Sequence, residues 1–167
     1  MKQCLKAVTF IVFFSSFLTS YSQNGSQMDS VYAGVLVEMK EKYFEPLGVN
    51  STLSLFSNIG NVILIYEQNG EIKAAKFFFK KSKKKFKNIR LSKGDELDYK
   101  NCILIASKDT VISFAGCKEF VHSFNNIVFE ISTINNVVKG NFTSDCADVL
   151  KGNNLFPLFN IYKKFLL

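Results

Sequence analysis

Residues 61–90, NVILIYEQNGEIKAAKFFFKKSKKKFKNIR, carry the clearest structural pattern in this chain. Two apolar runs, residues 62–66 and 72–79, lie on either side of a polar segment with Asn69 and Gly70 at its centre. Asn-Gly suits the positive-φ backbone of a type I′ turn, whose twist matches that of two antiparallel strands. The stretch therefore predicts a β-hairpin that nucleates an antiparallel sheet.

A dense cluster of positive charge follows the second apolar run, within residues 76–90. Clustered cations attract phosphate-bearing or carboxylate-bearing partners by long-range steering and counterion release. Phenylalanines interleave with the charges and could stack on bases or lie at a membrane interface. The side chains that we expect to bind an anion or a partner protein are Lys80, Lys81, Lys83, Lys84, Lys85, Lys87 and Arg90.

The alternative is that residues 80–87 form an exposed connection whose lysines only keep it soluble. Lysines also discourage edge-to-edge pairing of sheets. Lysine is a weaker device for specific anion recognition than the planar fork of arginine, and this cluster contains little arginine.

The N-terminal residues have the three-part pattern of a secretory signal peptide. Lys2 and Lys6 precede an apolar run over residues 7–18, and the small residues Ser20 and Ser22 suit a cleavage site. This segment resembles the leaders of Gram-negative secreted proteins. A membrane-spanning helix needs roughly 20 apolar residues, which this run does not reach. We expect residues 1–22 to be cleaved and residues 23–167 to form one exported domain, periplasmic or extracellular, without a transmembrane segment.

Export places the remaining cysteines in an oxidising compartment, where a disulfide is expected. Residues 102–106 and 111–115 read as the strands of a second hairpin, which would bring Cys102 close to Cys117. We predict a Cys102–Cys117 disulfide, although pairing of either residue with Cys146 is equally compatible with the sequence.

The rest of the chain predicts an α+β fold, in which an N-terminal helix packs on an antiparallel sheet of successive hairpins and a C-terminal helical segment closes the domain. The predicted elements are a helix over 29–44, short strands over 52–56 and 89–91, a turn over 92–95, a third hairpin with strands over 126–133 and 137–142, and helical pieces over 144–150 and 155–165. Residues 31–37 also alternate as a strand would, so an all-β sandwich or small barrel is the alternative.

No catalytic signature is present in the sequence. It lacks a glycine-rich phosphate loop, a nucleophile elbow and an HExxH motif, and His122 is its one histidine. A Cys–His pair is conceivable but has no flanking motif of a thiol enzyme. Asp95, Glu96 and Asp98 suit a turn, and the spacing of cysteines matches no zinc site. We therefore expect no catalytic residues, no metal and no cofactor.

These observations predict an exported, non-enzymatic binding module that contacts a protein or an anionic component of the cell envelope, with nucleic acid an unlikely partner. Many phenylalanine and isoleucine residues on an antiparallel sheet could instead line a cavity, so a carrier of a small apolar ligand is the alternative. A hydrolase of unrecognised type is the third possibility.

Overall fold

The computed structural model of the chain describes residues 31–57, 60–80, 83–108, 126–143 and 156–166. It divides into two compact units, residues 1–34 and 35–167, of which the second contains the sheet. The elements in chain order are helix α1 (described over 31–43), strands β1 (Val49–Ser57), β2 (Val62–Gln68), β3 (Glu71–Lys80) and β4 (Lys83–Ile89), helix α2 (Lys93–Lys108), strands β5 (Asn126–Ser132) and β6 (Val137–Thr143), and helix α3 (Phe156–Phe165).

The strands form one six-stranded antiparallel sheet in the order β4-β3-β2-β1-β5-β6. The first four strands follow one another as a meander, and the β5–β6 hairpin joins the free edge of β1. The α+β class, with its N-terminal and C-terminal helices, is confirmed. The all-β alternative is wrong, because residues 31–37 are helical.

The β2–β3 hairpin forms as its turn sequence predicts. Asn69 and Gly70 have φ angles of 54° and 80°, as the two central positions of a type I′ turn require. The turn is held against the loop that follows α1, where the Asn69 backbone N–H donates to the Gly48 carbonyl oxygen at 3.2 Å. Gly48 has a φ of 101°, and a Cβ there would lie 2.2 Å from Asn69 Oδ1. Because L side chains rarely adopt a φ of 101°, the backbone conformation favours glycine at residue 48.

One face of the sheet, called here the α2–α3 face, packs against the second and third helices. Side chains alternate between the two faces of a strand, so every second residue points into this core. The sheet contributes Leu53, Leu55, Ile63, Ile65, Ile127, Phe129, Ile131, Val138 and Phe142, and the helices contribute Tyr99, Cys102, Ala106, Leu158, Ile161 and Tyr162. Because these side chains are almost fully buried, this cluster is the main source of hydrophobic stabilisation.

The opposite face, called here the α1 face, lies against residues 35–43 of the first helix. The Tyr66 hydroxyl donates to the Tyr43 carbonyl oxygen at 3.4 Å, and Lys40 lies 3.9 Å from the Glu130 carboxylate on β5. The Lys42 ammonium is 5.2 Å from the centroid of the Phe86 ring on β4. Helix α1 thus reaches from the edge strand β4 across the sheet to β5.

Helix α2 occupies the region where the sequence predicted a turn over 92–95 and a strand over 102–106, so both of those predictions are wrong. Ser92 caps the helix, since its Oγ accepts from the Asp95 N–H at 3.3 Å and the Asp95 carboxylate accepts from the Ser92 N–H at 2.7 Å. This reciprocal capping box starts the helix. The Tyr99 hydroxyl then donates to the Ser51 carbonyl oxygen at 3.0 Å and anchors α2 to β1.

Helices α2 and α3 are joined by an ion pair whose carboxylate is buried. Lys164 Nζ lies 2.7 Å and 2.6 Å from the two oxygens of Asp95, so the last turn of α3 meets the first turn of α2. Lys76 on β3 donates to the Phe165 carbonyl oxygen at 2.5 Å. A lysine at this position satisfies a carbonyl that has no partner within the helix.

The remaining predictions divide in three ways. The third hairpin is confirmed as β5 and β6, and the amphipathic piece around Pro157 is confirmed as α3. The short strand over 89–91 is wrong, because the strand is β4, which ends at Ile89. The predicted strand over 111–115 and helix over 144–150 lie outside the residues that the structure describes.

Candidate anion-binding surface

The lysine-rich segment is an edge strand and not the exposed connection that the sequence predicted. Strand β4, with the sequence KKKFKNI, pairs with β3 from Lys80–Lys83 at one end to Ala74–Ile89 at the other. Because it is the outermost strand, only one of its edges is hydrogen-bonded within the sheet. Its residues are held extended by β3, although their own composition does not favour a strand.

Pairing with β3 sorts the predicted cationic residues onto two faces. The register places Lys80, Lys83, Lys85 and Lys87 on the α2–α3 face, where all four are exposed; this set is called the lysine face. Lys84 points to the α1 face and pairs there with Glu38. Lys81 lies outside the described residues, and Arg90 follows the strand as an exposed residue.

Like charges lie directly opposite one another across the β3–β4 ladder. Lys80 faces Lys83, and Lys76 faces Lys87. Directly opposed residues have Cβ atoms about 4.5–5.5 Å apart, and like charges there are destabilising. Within the described part of the chain, no acidic side chain forms an ion pair with a member of the lysine face. The surface therefore concentrates positive charge without an acidic ion-pair partner among the described residues.

A cleft of about 730 Å³ opens at the edge of the sheet where β4 ends, and residues from both faces of the sheet line it. The register stops at Ala74–Ile89, so residues 71–73 of β3 have no partner in β4. The charged side chains that line the cleft are Lys42, Lys73, Arg90, Lys93 and Glu96. Because cations outnumber the single acid, the cleft suits an anionic group better than an apolar ligand.

Sequence reasoning identified Arg90 but missed the other three cations of the cleft. They come from α1, β3 and α2. They lie close together because α1 crosses the sheet and because β4 ends at Ile89, which leaves residues 71–73 of β3 without a partner in β4. No local sequence signal could have grouped them. Two tyrosines, Tyr43 and Tyr66, also line the cleft. Burial raises the pKa of Tyr66, with smaller contributions from Tyr43 and Glu45, so its hydroxyl stays protonated at neutral pH.

The tip of the β3–β4 hairpin extends past its neighbour in the sheet. Val62, the first residue of β2, pairs with Phe77, so residues 78–80 of β3 have no partner in β2. Phe77 is buried and packs edge-on against Phe79, with 5.1 Å between the ring centroids. The Phe79 side chain itself is 52% exposed. An aromatic ring is thus presented among lysines at the end of the hairpin.

Cys102, one half of the predicted Cys102–Cys117 disulfide, does not lie in the hairpin strand that the sequence predicted. Cys102 is a free, buried cysteine on α2, not a residue of a hairpin strand, and Cys117 lies outside the described residues. Burial, with a smaller contribution from Asp98, raises the pKa of the Cys102 thiol to about 12. Such a thiol stays protonated and is a poor nucleophile at neutral pH.

Other candidate chemical groups are either engaged or outside the described part of the chain. Asp95 is held by Lys164 and Ser92, and His122 lies in a range that is not described. Across the described ranges, no group of three or more histidine, cysteine, aspartate or glutamate residues is arranged to hold a metal ion.

Comparisons with known proteins place the chain beside no relative. No protein-family model, curated protein or solved structure matches it. Among the described helices, none combines the length and apolar character needed to cross a lipid bilayer.

Proposed function

We propose that this protein is an exported, non-enzymatic binding module that holds an anionic component of the cell envelope on its lysine face. The observation that carries the proposal is the set of exposed lysines on one face of β4 and the end of β3. Lys83 and Lys87 lie opposite other lysines, and no member of the set has an acidic ion-pair partner among the described residues. The signal-peptide pattern of residues 1–22 supports export.

Repulsion between opposed lysines distinguishes this surface from an edge strand whose lysines serve only to keep it soluble. Single lysines would suffice to prevent edge-to-edge pairing of sheets. Here like charges lie opposite one another, at a cost that an anionic partner would relieve on binding. The cleft at the end of β4 adds further cations at the same edge of the sheet.

The direct test compares two variants of equal net charge. The first replaces Lys80, Lys83, Lys85 and Lys87 with glutamine, and the matched control replaces Lys100, Lys108, Lys139 and Lys163, which are also exposed. Binding of each protein to purified lipopolysaccharide and to phosphatidylglycerol vesicles is measured by co-sedimentation at rising NaCl concentration.

Each basic residue near an anionic membrane surface contributes about 1 kcal/mol to the free energy of binding. We expect the lysine-face variant to bind up to about a thousand-fold more weakly, and the control variant to bind nearly as well as the unmodified protein. Binding should also weaken as salt rises. Equal losses in the two variants, or no binding to either anionic probe, would overturn the proposal.

A further inference from the structure

The cleft at the end of β4 holds three exposed cations from three separate parts of the fold. Lys42 comes from α1, Arg90 follows β4, and Lys93 begins α2. Among the described residues, no acidic side chain forms an ion pair with any of the three. Lys73, the fourth cation of the cleft, differs because it lies 3.7 Å from Glu71 on the same strand. The cleft therefore gathers positive charge that stays available to a ligand.

Lys93 occupies a position where a helix disfavours a cation. Ser92 caps α2, so Lys93 is the first residue of the helix. The free N–H groups give this end of a helix a partial positive charge, which repels a lysine and attracts an anion. Residues that break a local rule in this way are expected at functional sites. An anion bound in the cleft would offset the repulsion between Lys93 and its own helix.

The size of the cleft and its other polar groups suit more than a bare anion. Its volume of about 730 Å³ lies within the range of roughly 300–1,000 Å³ that is typical of small-molecule sites. The Glu96 carboxylate can accept hydrogen bonds, and the Asn88 amide can both donate and accept them. Such groups match the hydroxyls of a neutral polar body attached to the anion.

We propose that this cleft is a binding site for a phosphorylated sugar. Lys42, Arg90 and Lys93 bind the phosphate, and Asn88 and Glu96 bind the hydroxyl groups of the sugar. Arg90 offers the planar fork that matches two phosphate oxygens, which the lysine face lacks. The site goes beyond the proposed function, because none of its residues belongs to the lysine face.

Isothermal titration calorimetry with glucose 6-phosphate, glucose and inorganic phosphate tests whether the cleft recognises both parts of such a ligand. We expect glucose 6-phosphate to bind at least ten-fold more tightly than inorganic phosphate, and glucose to show no binding. Equal affinity for glucose 6-phosphate and inorganic phosphate, or binding of neither, would overturn the inference.

Two variants and a matched control locate the bound ligand. Arg90→Lys keeps the charge but removes the fork, and should weaken binding of glucose 6-phosphate about ten-fold. Lys93→Gln should weaken binding to a similar extent while raising the melting temperature by about 1–3 °C, because it removes a cation from the start of a helix. Lys100→Gln, an exposed residue of the same helix outside the cleft, should change neither property. Equal losses of affinity in Lys93→Gln and Lys100→Gln would contradict a site in the cleft.

Purified lipopolysaccharide, which carries phosphorylated sugars on a lipid, distinguishes two sources of the ligand. Displacement of glucose 6-phosphate by lipopolysaccharide would identify a glycolipid as a source, and retention would identify a soluble sugar phosphate. The assignment of the cleft holds in both cases.

The lysine-face variant separates this inference from the proposed function. It should bind glucose 6-phosphate as tightly as the unmodified protein does. If it loses that binding while Arg90→Lys and Lys93→Gln retain it, the cleft is the wrong site and the lysine face stands. If lysine dependence is lost with lipopolysaccharide and with vesicles but glucose 6-phosphate still binds in the cleft, the proposed function is wrong and the cleft stands.

Discussion

Asp95 shows how a single side chain can cap one helix and join it to another. Its side chain is almost fully buried, with 6% of the residue exposed. Burial opposes ionisation, but hydrogen bonds from Lys164 and Ser92 outweigh it, so the pKa of Asp95 is lowered. The carboxylate thereby completes the capping box of α2 and holds the end of α3.

Asp95→Ala should lower the free energy of unfolding by about 2–3 kcal/mol, because it removes a helix cap and a charge-assisted hydrogen bond. Glu96→Ala is the control, since Glu96 lies in the same first turn and should cost less than about 1 kcal/mol. Urea unfolding of both variants measures the difference. Equal losses would show that Asp95 acts only through the helix dipole.

The lowered pKa of Asp95 also predicts the sign of an acid effect. Stabilisation by a carboxylate with a depressed pKa is present above its unfolded value, about 3.9, and is lost as pH falls through the folded value. The stability difference between the unmodified protein and Asp95→Asn should therefore be constant from pH 7 to about pH 5 and shrink below about pH 4. A difference that grows in acid would contradict this assignment.

The raised pKa of Cys102 predicts a loss of stability at alkaline pH. Its pKa rises from 9.0 to about 12 on burial, so between these values the unfolded state loses a proton that the folded state keeps. Stability must then fall as pH rises above about 9. Cys102→Ala should show a shallower alkaline decline in chemical unfolding. An identical slope in both proteins would show that Cys102 ionises equally in the two states.

Among the elements, the β2–β3 hairpin is the one that local sequence chemistry predicts most directly. Asn69-Gly70 determines its own backbone, so β2 and β3 were predictable from local chemistry. Strand β4 was not predictable in this way, because its sequence KKKFKNI does not alternate between polar and apolar residues. It is a strand because β3 offers it a partner, which is tertiary information.

Helix α2 was mistaken for a strand because its residues 102–106 are apolar and partly β-branched. Two signals for the helix were nevertheless present. Ser92 and Asp95 have the spacing of a capping box, and the buried residues Asp95, Tyr99, Cys102 and Ala106 recur at helical intervals. Exposed Leu97 and Leu104 blur that periodicity. The lysines of the candidate site were predictable, but the cleft was not, because its lining residues come from α1, β2, β3, β4 and α2.

Two glycine substitutions should change stability in opposite directions at the level of the element. Gly70→Ala places a Cβ in the left-handed region, at φ 80°, and should cost about 1–2 kcal/mol although space is free. Gly94→Ala, in the first turn of α2, should be neutral or stabilise by up to about 1 kcal/mol. Thermal melts of the two variants test this, and a stabilising Gly70→Ala would contradict the type I′ turn.

For the whole molecule, the formal net charge of +7 and the unpaired lysine face predict an unusual response to salt. The Debye length falls from about 30 Å at 0.01 M to about 8 Å at 0.15 M, which screens repulsion between the lysines. We expect the melting temperature to rise over this range. The variant with glutamine at Lys80, Lys83, Lys85 and Lys87 should be at least as stable in low salt and should respond less to added salt. A lysine-face variant that melts lower at low salt would contradict the like-charge repulsion.

The position of β1 within the sheet has a consequence for the order in which the chain folds. One edge of β1 pairs with β2, the next strand in the chain. The other edge pairs with β5, which is distant in sequence and places Phe129 opposite Leu55. Contacts so distant in sequence form late. Until they do, the completed meander presents an open, largely apolar strand edge to other chains. A chain that forms its N-terminal strands first is thus most prone to aggregate just before the β5–β6 hairpin forms. Pairing of β5 with β1 then covers the open edge and removes that risk.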